Sequence, residues 1–452
     1  MNQWMQKKLE IAEMNPESQL ITLKFLSLQL TRIAQGALVS TFLVLFLLEI
    51  ISFAELGLLL AIQLALIALL DYPTGAFSDW TSQRFVMILA YCSYAISILF
   101  LLAGTDFYSL LLFVIWLSIG RSQESGALET WFDKNYRAAS GAFDEDRKLY
   151  GAFYGKLIAY QTVINVFAFI LGGLIAALFS RRALFYVQFL LVLSVLALVG
   201  ILMKDSPSLE NSSKPAKSFG SQFMGGLKFV STSKANLCFF VGLAMISASI
   251  GPWFYLMLFP FYQGYAGSDD YIGLLRAIIN CSGVFWRLAG ARFSKRIGKQ
   301  NLHRWFFIDN FMIYVVFFLA VFGFYTLLPP TNTLTIIFLG VILLFVLFLH
   351  PWASVEGILR QRLIVDLIPD EYRNSIYSLL SSLAVLVCVP FLIIGGGVIS
   401  EFGFSMGILA TVAMGFVSCI VLGLGLYWLQ KLPQERITVR EIVGKPAFGT
   451  PA

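Results

Sequence analysis

Apolar runs of twenty or more residues, parted by short polar turns, recur along the whole chain. Each is long enough to cross a hydrocarbon core of about 30 Å as a helix. The pattern predicts twelve spans, at about residues 22–49, 55–78, 85–104, 108–133, 150–178, 182–203, 236–262, 270–292, 305–327, 334–359, 375–399 and 405–430. The longest polar interruption, 204–234, is rich in Ser, Pro, Lys and Asn. It reads as a linker between halves, with a short amphipathic helix expected near 223–230. The expected organisation is an N-terminal six-helix bundle (1–203), the linker (204–234), a C-terminal six-helix bundle (235–430) and a polar tail (431–452). The fold class is all-α, polytopic and membrane-embedded.

The apolar pattern also repeats. Gly57-Leu58-Leu59-Leu60-Ala61-Ile62 returns as Gly273-Leu274-Leu275-Arg276-Ala277-Ile278, an offset of 216 residues (273 − 57). In that register Asp71 falls opposite Arg287, Gly75 opposite Ala291 and Asp79 opposite Lys295. A repeat of this size in an apolar chain implies two equivalent bundles with a site between them. The copies agree in backbone features and differ in charge, at Leu60/Arg276, Asp71/Arg287 and Asp79/Lys295.

Composition agrees with the pattern: the chain is 58% hydrophobic and 13% charged, with mean hydropathy +0.79. A soluble protein carries about 25% charged residues. With these twelve spans, 24 Lys and Arg fall on one side, against Arg181 and Arg182 on the other. An error of one span would destroy that bias. The positive side is expected to be cytoplasmic, with both termini there, in a plasma membrane. No removable signal peptide precedes the first span. The net charge of +6 is spread over many short loops, so it is no nucleic-acid signal. Cys92, Cys238, Cys281, Cys388 and Cys419 all lie within spans, so buried thiols and no disulfide are expected.

Asp71-Tyr72-Pro73-Thr74-Gly75-Ala76-Phe77-Ser78-Asp79, ending near Arg84, resembles the loop 2–3 signature of the major facilitator superfamily, in a drug-efflux-like branch with a Pro-Thr-Gly motif. Trp80 stands where that pattern has a basic residue, and Ser82 where it has Gly. The resemblance covers almost the whole chain and implies alternating access between the two bundles. It implies that Asp79 caps a helix of the opposite half, as a latch that Lys295 cannot copy. Leu117 through Gly126 resembles the family's Leu-x-x-x-Arg-x-x-Gln-Gly pattern, in which the Arg is implicated in proton coupling. Here Arg121 is the Arg and Glu124 replaces the Gln. The antiporter Gly-Pro pair is missing, since Ala168-Phe169 precede Gly172-Gly173. Gly395-Gly396-Gly397 on span 11 offers a counterpart to that glycine pair, and both suit close helix approach. The Leu367-Ile368-Pro369 segment before Arg373 reads as a structural helix start.

An ionisable side chain near the bilayer centre costs roughly 2.5–3.5 kcal/mol, so each is a candidate for function. Arg32, between Gln29 and Gln35, and Arg121 both fall near mid-depth, and in this superfamily their helices line the central cavity. Glu124 stands at i+3 from Arg121, within touching distance. Arg32, Arg121, Glu124 and His350 are the candidates for proton coupling and substrate contact, with Glu124 as proton carrier. A purely structural Arg121–Glu124 pair is the alternative. Asp71, Gly75, Asp79, Arg84 and Arg287 are gate or interface candidates. Gly251-Pro252 predicts a bend in span 7 beside Trp253 and Tyr255, the cavity-aromatic candidates. Arg276 and Lys156 are read as snorkelling, and Glu129 and Asp309 as close to the surface.

Two histidines, no His-Glu-x-x-His, no paired Cys ligands and no phosphate loop argue against an enzyme, a metal site or a cofactor. The expected function is proton-coupled secondary transport of a small organic solute by a monomer. Export of an amphipathic compound is favoured, and uptake or exchange of a small organic anion is the alternative. A non-transporting receptor or scaffold on the same fold is the rival class.

Overall fold

The computed structural model describes residues 11–144, 146–204, 230–231, 233–330, 335–367 and 373–431; side chains 72–80, 142, 299, 335–336, 338, 365–366 and 373–378 lie outside the description. The twelve spans are helical and the fold is all-α. Span 1 is Pro16–Ser40 with a short Leu43–Leu47 continuation, and spans 2 and 3 are Phe53–Trp80 and Gln83–Ala103. Span 4 is Phe107–Glu124 followed by Ala127–Ser140; spans 5 and 6 are Lys148–Leu178 and Arg181–Leu202. Span 7 runs Lys234–Ser249 and then Trp253 to Ala266, span 8 is Asp269–Ser294 and span 9 runs from Leu302 to Leu327. Span 10 runs from Thr335 to Leu367, and spans 11 and 12 are Arg373–Phe402 and Phe404–Lys431. The 223–230 segment and most of the linker lie outside the described residues.

Ten of these helices are long and apolar enough to cross a bilayer by length and composition. The two that fall short, spans 1 and 4, carry Arg32, Arg121 and Glu124. Their polar residues dilute the hydropathy, and they also mark where the chain departs from simple spanning helices. Span 4 does not run through to residue 133. It breaks after Glu124, where Gly126 takes a left-handed conformation (φ 71°) that restarts the helix. Pro252 supplies no N–H to the helix ladder, and a π-helical turn, Trp253–Met257, follows it. Similar turns occur at Met312–Phe317 and at Leu344–Leu349, just before Pro351. All three lie in the C-terminal half.

The halves meet along spans 2 and 11 and along spans 5 and 8. The opening repeat explains how. A Cβ on Gly57 would stand 2.5 Å from the Leu392 carbonyl oxygen and 3.1 Å from Gly396 Cα. A Cβ on Gly273 would stand 2.5 Å from the Phe169 carbonyl oxygen and 2.9 Å from Gly173 Cα. The two copies of one glycine therefore make the same backbone-to-backbone contact across the interface, each against a glycine of the other half. Close by, Arg181 donates two hydrogen bonds to Asp269, at 2.9 and 2.7 Å, and one of 2.8 Å to Glu49. The only two basic residues predicted on that face are Arg181 and Arg182, and one of them joins the halves. These contacts seal the face opposite the basic loops.

At the basic face the turn between spans 4 and 5 is pinned by Asp144. Burial by itself would raise its carboxyl pKa. Hydrogen bonds from the Tyr136 hydroxyl (2.8 Å) and from the N–H groups of Tyr150 and Leu149 outweigh burial and hold it below the ordinary range. A lowered folded-state pKa contributes stability above the ordinary value of about 4 and loses it as pH falls further. Asp144→Asn is expected to cost about 2 kcal/mol near neutral pH, the worth of hydrogen bonds to a charged acceptor. It should also flatten the acid side of a melting-temperature profile recorded in detergent down to pH 3. An unchanged acid limb would show that the turn is held by other groups.

Candidate functional site

Spans 1, 3, 4, 5 and 6 of the N-terminal half, with Arg276 and Asn280 of span 8, line a cavity of about 910 Å³. Its size suits a small organic molecule. The break after Glu124 brings two acids to one guanidinium. Arg32 lies 2.8 Å from Glu129 and 3.5 Å from Glu124. Glu124 also accepts hydrogen bonds from Tyr91 (2.9 Å) and Tyr94 (2.5 Å) of span 3. Its four oxygen lone-pair sites are thus shared between one cation and two neutral donors. The carboxylate side chain is 17% exposed, at the edge of the cavity, so it is held firmly yet reachable by water.

Arg121 is exposed in the cavity wall, and among the described residues no carboxylate pairs with it. The expected Arg121–Glu124 contact is replaced by Arg32–Glu124, because the helix ends between the two acids and turns Glu129 inward. Glu129 is therefore a wall residue and not a surface acid. Arg276 is likewise in the cavity and not at a lipid interface. Its guanidinium lies 5.4 Å from the Phe169 ring and 5.3 Å from the Phe259 ring, a cation–π setting. The divergence of Leu60 and Arg276 within the repeat was the sequence signal for it. Amides add the neutral donors and acceptors: Gln35, Gln161, Asn165, Gln188 and Asn280 line the same space. Toward the sealed face the lining turns apolar, with Leu43, Leu101, Phe113 and Phe185. With three guanidinium groups and two carboxylates, the wall has a net positive charge.

Other candidates lie elsewhere. Trp253 is 1% exposed and packs against Phe261, Phe318 and Phe345, so it is part of an aromatic core and not a cavity surface. Tyr255 is 38% exposed and stands beside Cys388 and Arg121. His350 does not line the cavity: its Nδ1 is 2.5 Å from the Ser282 hydroxyl, joining spans 10 and 8 within one half. Arg84 donates to the Gly200 carbonyl at 2.7 Å, which ties span 3 to the end of span 6 and not to the other half. Asp71 and Arg287 are both exposed near the basic face. The side chain of Asp79 and the surroundings of Gly75 lie outside the described residues.

Twelve spanning helices in two pseudo-symmetric bundles, with a polar cavity in the N-terminal bundle that span 8 of the other half borders, define a multi-pass membrane transporter, not an enzyme. The chain belongs to the major facilitator superfamily, whose family model matches residues 25–359. Its fold is similar to that of the nucleoside transporter NupG, with a TM-score of 0.71 at 14% identity over 91% of this chain and all of that one (100%). A bacterial homologue of the iron transporter ferroportin, in an inward-facing state, gives a TM-score of 0.66 at 18% identity over 90% of this chain and 98% of that one. The POT family transporter PepTSo gives 0.65 at 10% identity over 91% of this chain and 99% of that one. At such identities the likeness concerns the fold. Comparison with curated proteins gives no match.

Proposed function

We propose that the chain is a proton-coupled secondary transporter of a small organic solute that carries an anionic group and an apolar portion. The observation behind this reading is Arg121, a cavity cation with no carboxylate partner among the described residues, set between an amide-lined wall and the apolar recess at the sealed face. A cation in a cavity wall without a counter-ion offers a charge-assisted contact to a ligand that brings one. Arg32 is not available in the same way, since two glutamates already neutralise it. The lining favours an anionic solute over a purely lipophilic one, and the recess accommodates its apolar part.

The Arg32–Glu124–Glu129 group serves as the coupling centre. Protonating Glu124 removes one of the two charges that hold Arg32, so the Arg32 contact and the proton load change together. Rocking of the halves about the glycine contacts would present the centre to one face and then the other. Lys and Arg asymmetry supports a cytoplasmic basic face, and with the opposite face closed the reading is of an inward-facing state. The halves move as the 1–203 and 235–430 bundles, joined by the 204–234 linker, in a monomer in the plasma membrane.

The test is a stabilisation screen on the purified full chain with organic carboxylates and phosphates, nucleosides, dipeptides and lipophilic cations. The expected hit is an organic anion. A solute at 100 times its Kd adds about 2.7 kcal/mol of stability. Arg121→Gln should abolish that shift, and counterflow in proteoliposomes should carry the same solute. Stabilisation by lipophilic cations alone, unchanged in Arg121→Gln, would overturn the substrate reading.

A further inference from the structure

The C-terminal half holds a second polar cluster that does not belong to the central cavity. It is built by spans 7, 9 and 10 around Asp309, which is 1% exposed. Neither carboxylate oxygen of Asp309 has a hydrogen-bond partner. Beside it, Asn310 is fully buried; its amide donates to the Phe306 carbonyl at 2.8 Å, and its Oδ1 accepts nothing. From span 10, Glu356 is the charged neighbour of Asp309. Its Oε1 also lacks a donor, the Arg360 Nε being 3.8 Å away. The Arg360 guanidinium instead donates to the Ser247 hydroxyl of span 7. Tyr314 on span 9 stands near both acids and Arg360, and Cys419 of span 12 stands next to Tyr314. Those are the titratable and charged groups facing Asp309 among the described residues.

The hydrogen-bond inventory is lopsided. Among the described residues four acceptor atoms, two on Asp309 and one each on Asn310 and Glu356, have no hydrogen-bond donor; Arg360 pairs with Glu356 at 3.8 Å and donates to Ser247, which leaves Asp309 without a cation. With both acids ionised, two carboxylates would share one guanidinium inside a helix bundle. An unpaired buried ion costs several kcal/mol, so such groups gain a partner or lose the charge. A single proton cancels one charge and turns one of these acceptors into an O–H donor. Asp309 lies seven residues into Leu302–Leu327, and Glu356 eleven residues before the end of His350–Leu367. At 1.5 Å per residue they sit about 10 and 16 Å from the basic-side ends of their helices.

We propose that Asp309 is a second proton-binding site, in which the proton rests on the buried Asp309 carboxyl and neutralises it beside Glu356. The site bridges spans 9 and 10 within the C-terminal half, whereas the Arg32–Glu124 centre lies in the N-terminal half. Glu124 receives two tyrosine hydroxyls and a guanidinium; Asp309 receives no hydrogen bond among the described residues. The proposal stands independently of which solute is transported.

Infrared spectroscopy of the reconstituted full chain, labelled with ¹³C at the aspartate carboxyl, reads the proton directly. A carboxylic-acid C=O band should be present at neutral pH, shift with the label, vanish in Asp309→Asn and persist in Asp146→Asn, a surface control. Alkaline titration should remove the band and lower the melting temperature of the wild-type chain, while Asp309→Asn melts independently of pH over the same range. If Asp309→Asn does not fold, the labelled wild-type spectrum decides alone. Absence of an aspartic-acid band at neutral pH, or its survival in Asp309→Asn, would overturn the proposal. So would loss of the band when sodium chloride replaces choline chloride, which would make the occupant a metal cation. None of these readouts needs a transport substrate, so they fail separately from the transport reading.

Discussion

Glu124→Gln is expected to abolish accumulation driven by a pH gradient while leaving exchange without a gradient within a few-fold of wild type. The amide keeps the size of the side chain but ends its ion pair with Arg32, at 3.5 Å. It also places an NH₂ group where Tyr91 and Tyr94 both donate. Arg32 is left with Glu129 as its counter-ion. A proton can no longer load or leave, so the coupled step is lost, with an effect of about 100-fold or more, the scale on which positioned acids and bases act. Solute movement that needs no net proton transfer continues. Proteoliposomes loaded with the organic anion returned by the stabilisation screen give both rates. Full gradient-driven uptake by Glu124→Gln would remove Glu124 from the coupling centre, and equal loss of exchange and accumulation would make it a structural residue.

The second large effect concerns the sealed face. Arg181 and Asp269 are 12% and 14% exposed, bidentate, and on opposite halves. Truncating one member of such a pair costs about 2 kcal/mol or more of the closed arrangement, or roughly 30-fold in the population ratio. Arg181→Ala should therefore shift the molecule toward a state open at this face. Arg181→Lys should act in the same direction but less, since an ammonium keeps the charge and loses the fork. Gly273→Ala should do the same by a separate route, because its Cβ has no room beside the Phe169 carbonyl. Spin labels at Tyr108 and Leu327, both exposed near this face, report the distance between halves once Cys281 is replaced. Longer distances are expected in all three variants. Distances unchanged in both Arg181→Ala and Gly273→Ala would show that these contacts do not hold the face closed.

Particular residues show how far the chain could be read in advance. Gly57 and Gly273 stood out as equivalent positions, and the structure uses both in equivalent contacts. The mid-depth residues Arg32, Arg121 and Glu124 were visible as charges within apolar spans, and all three line one cavity. Their pairing was not visible. An i+3 spacing favoured Arg121 with Glu124, but the left-handed Gly126 ended the helix and carried Glu129 to Arg32 instead. Counting from an expected helix start at residue 305 put Asp309 near the surface, whereas the helix begins at Leu302. Its rotation toward spans 7 and 10, which decides its burial, does not follow from counting.

By itself the sequence determined the number of spans, the duplication and the clustering of basic residues in alternate loops. These depend on apolar length and on positive-charge bias, which are one-dimensional properties. Tertiary structure decided which side of each helix meets a partner helix and which meets lipid. In water an apolar stripe marks the buried face of a helix, but here lipid and protein core are equally apolar, so helices such as Phe404–Lys431 are hydrophobic all round. Three assignments therefore waited for the folded chain: Arg276 in the cavity, Trp253 in an aromatic core, and Asp309 without a donor.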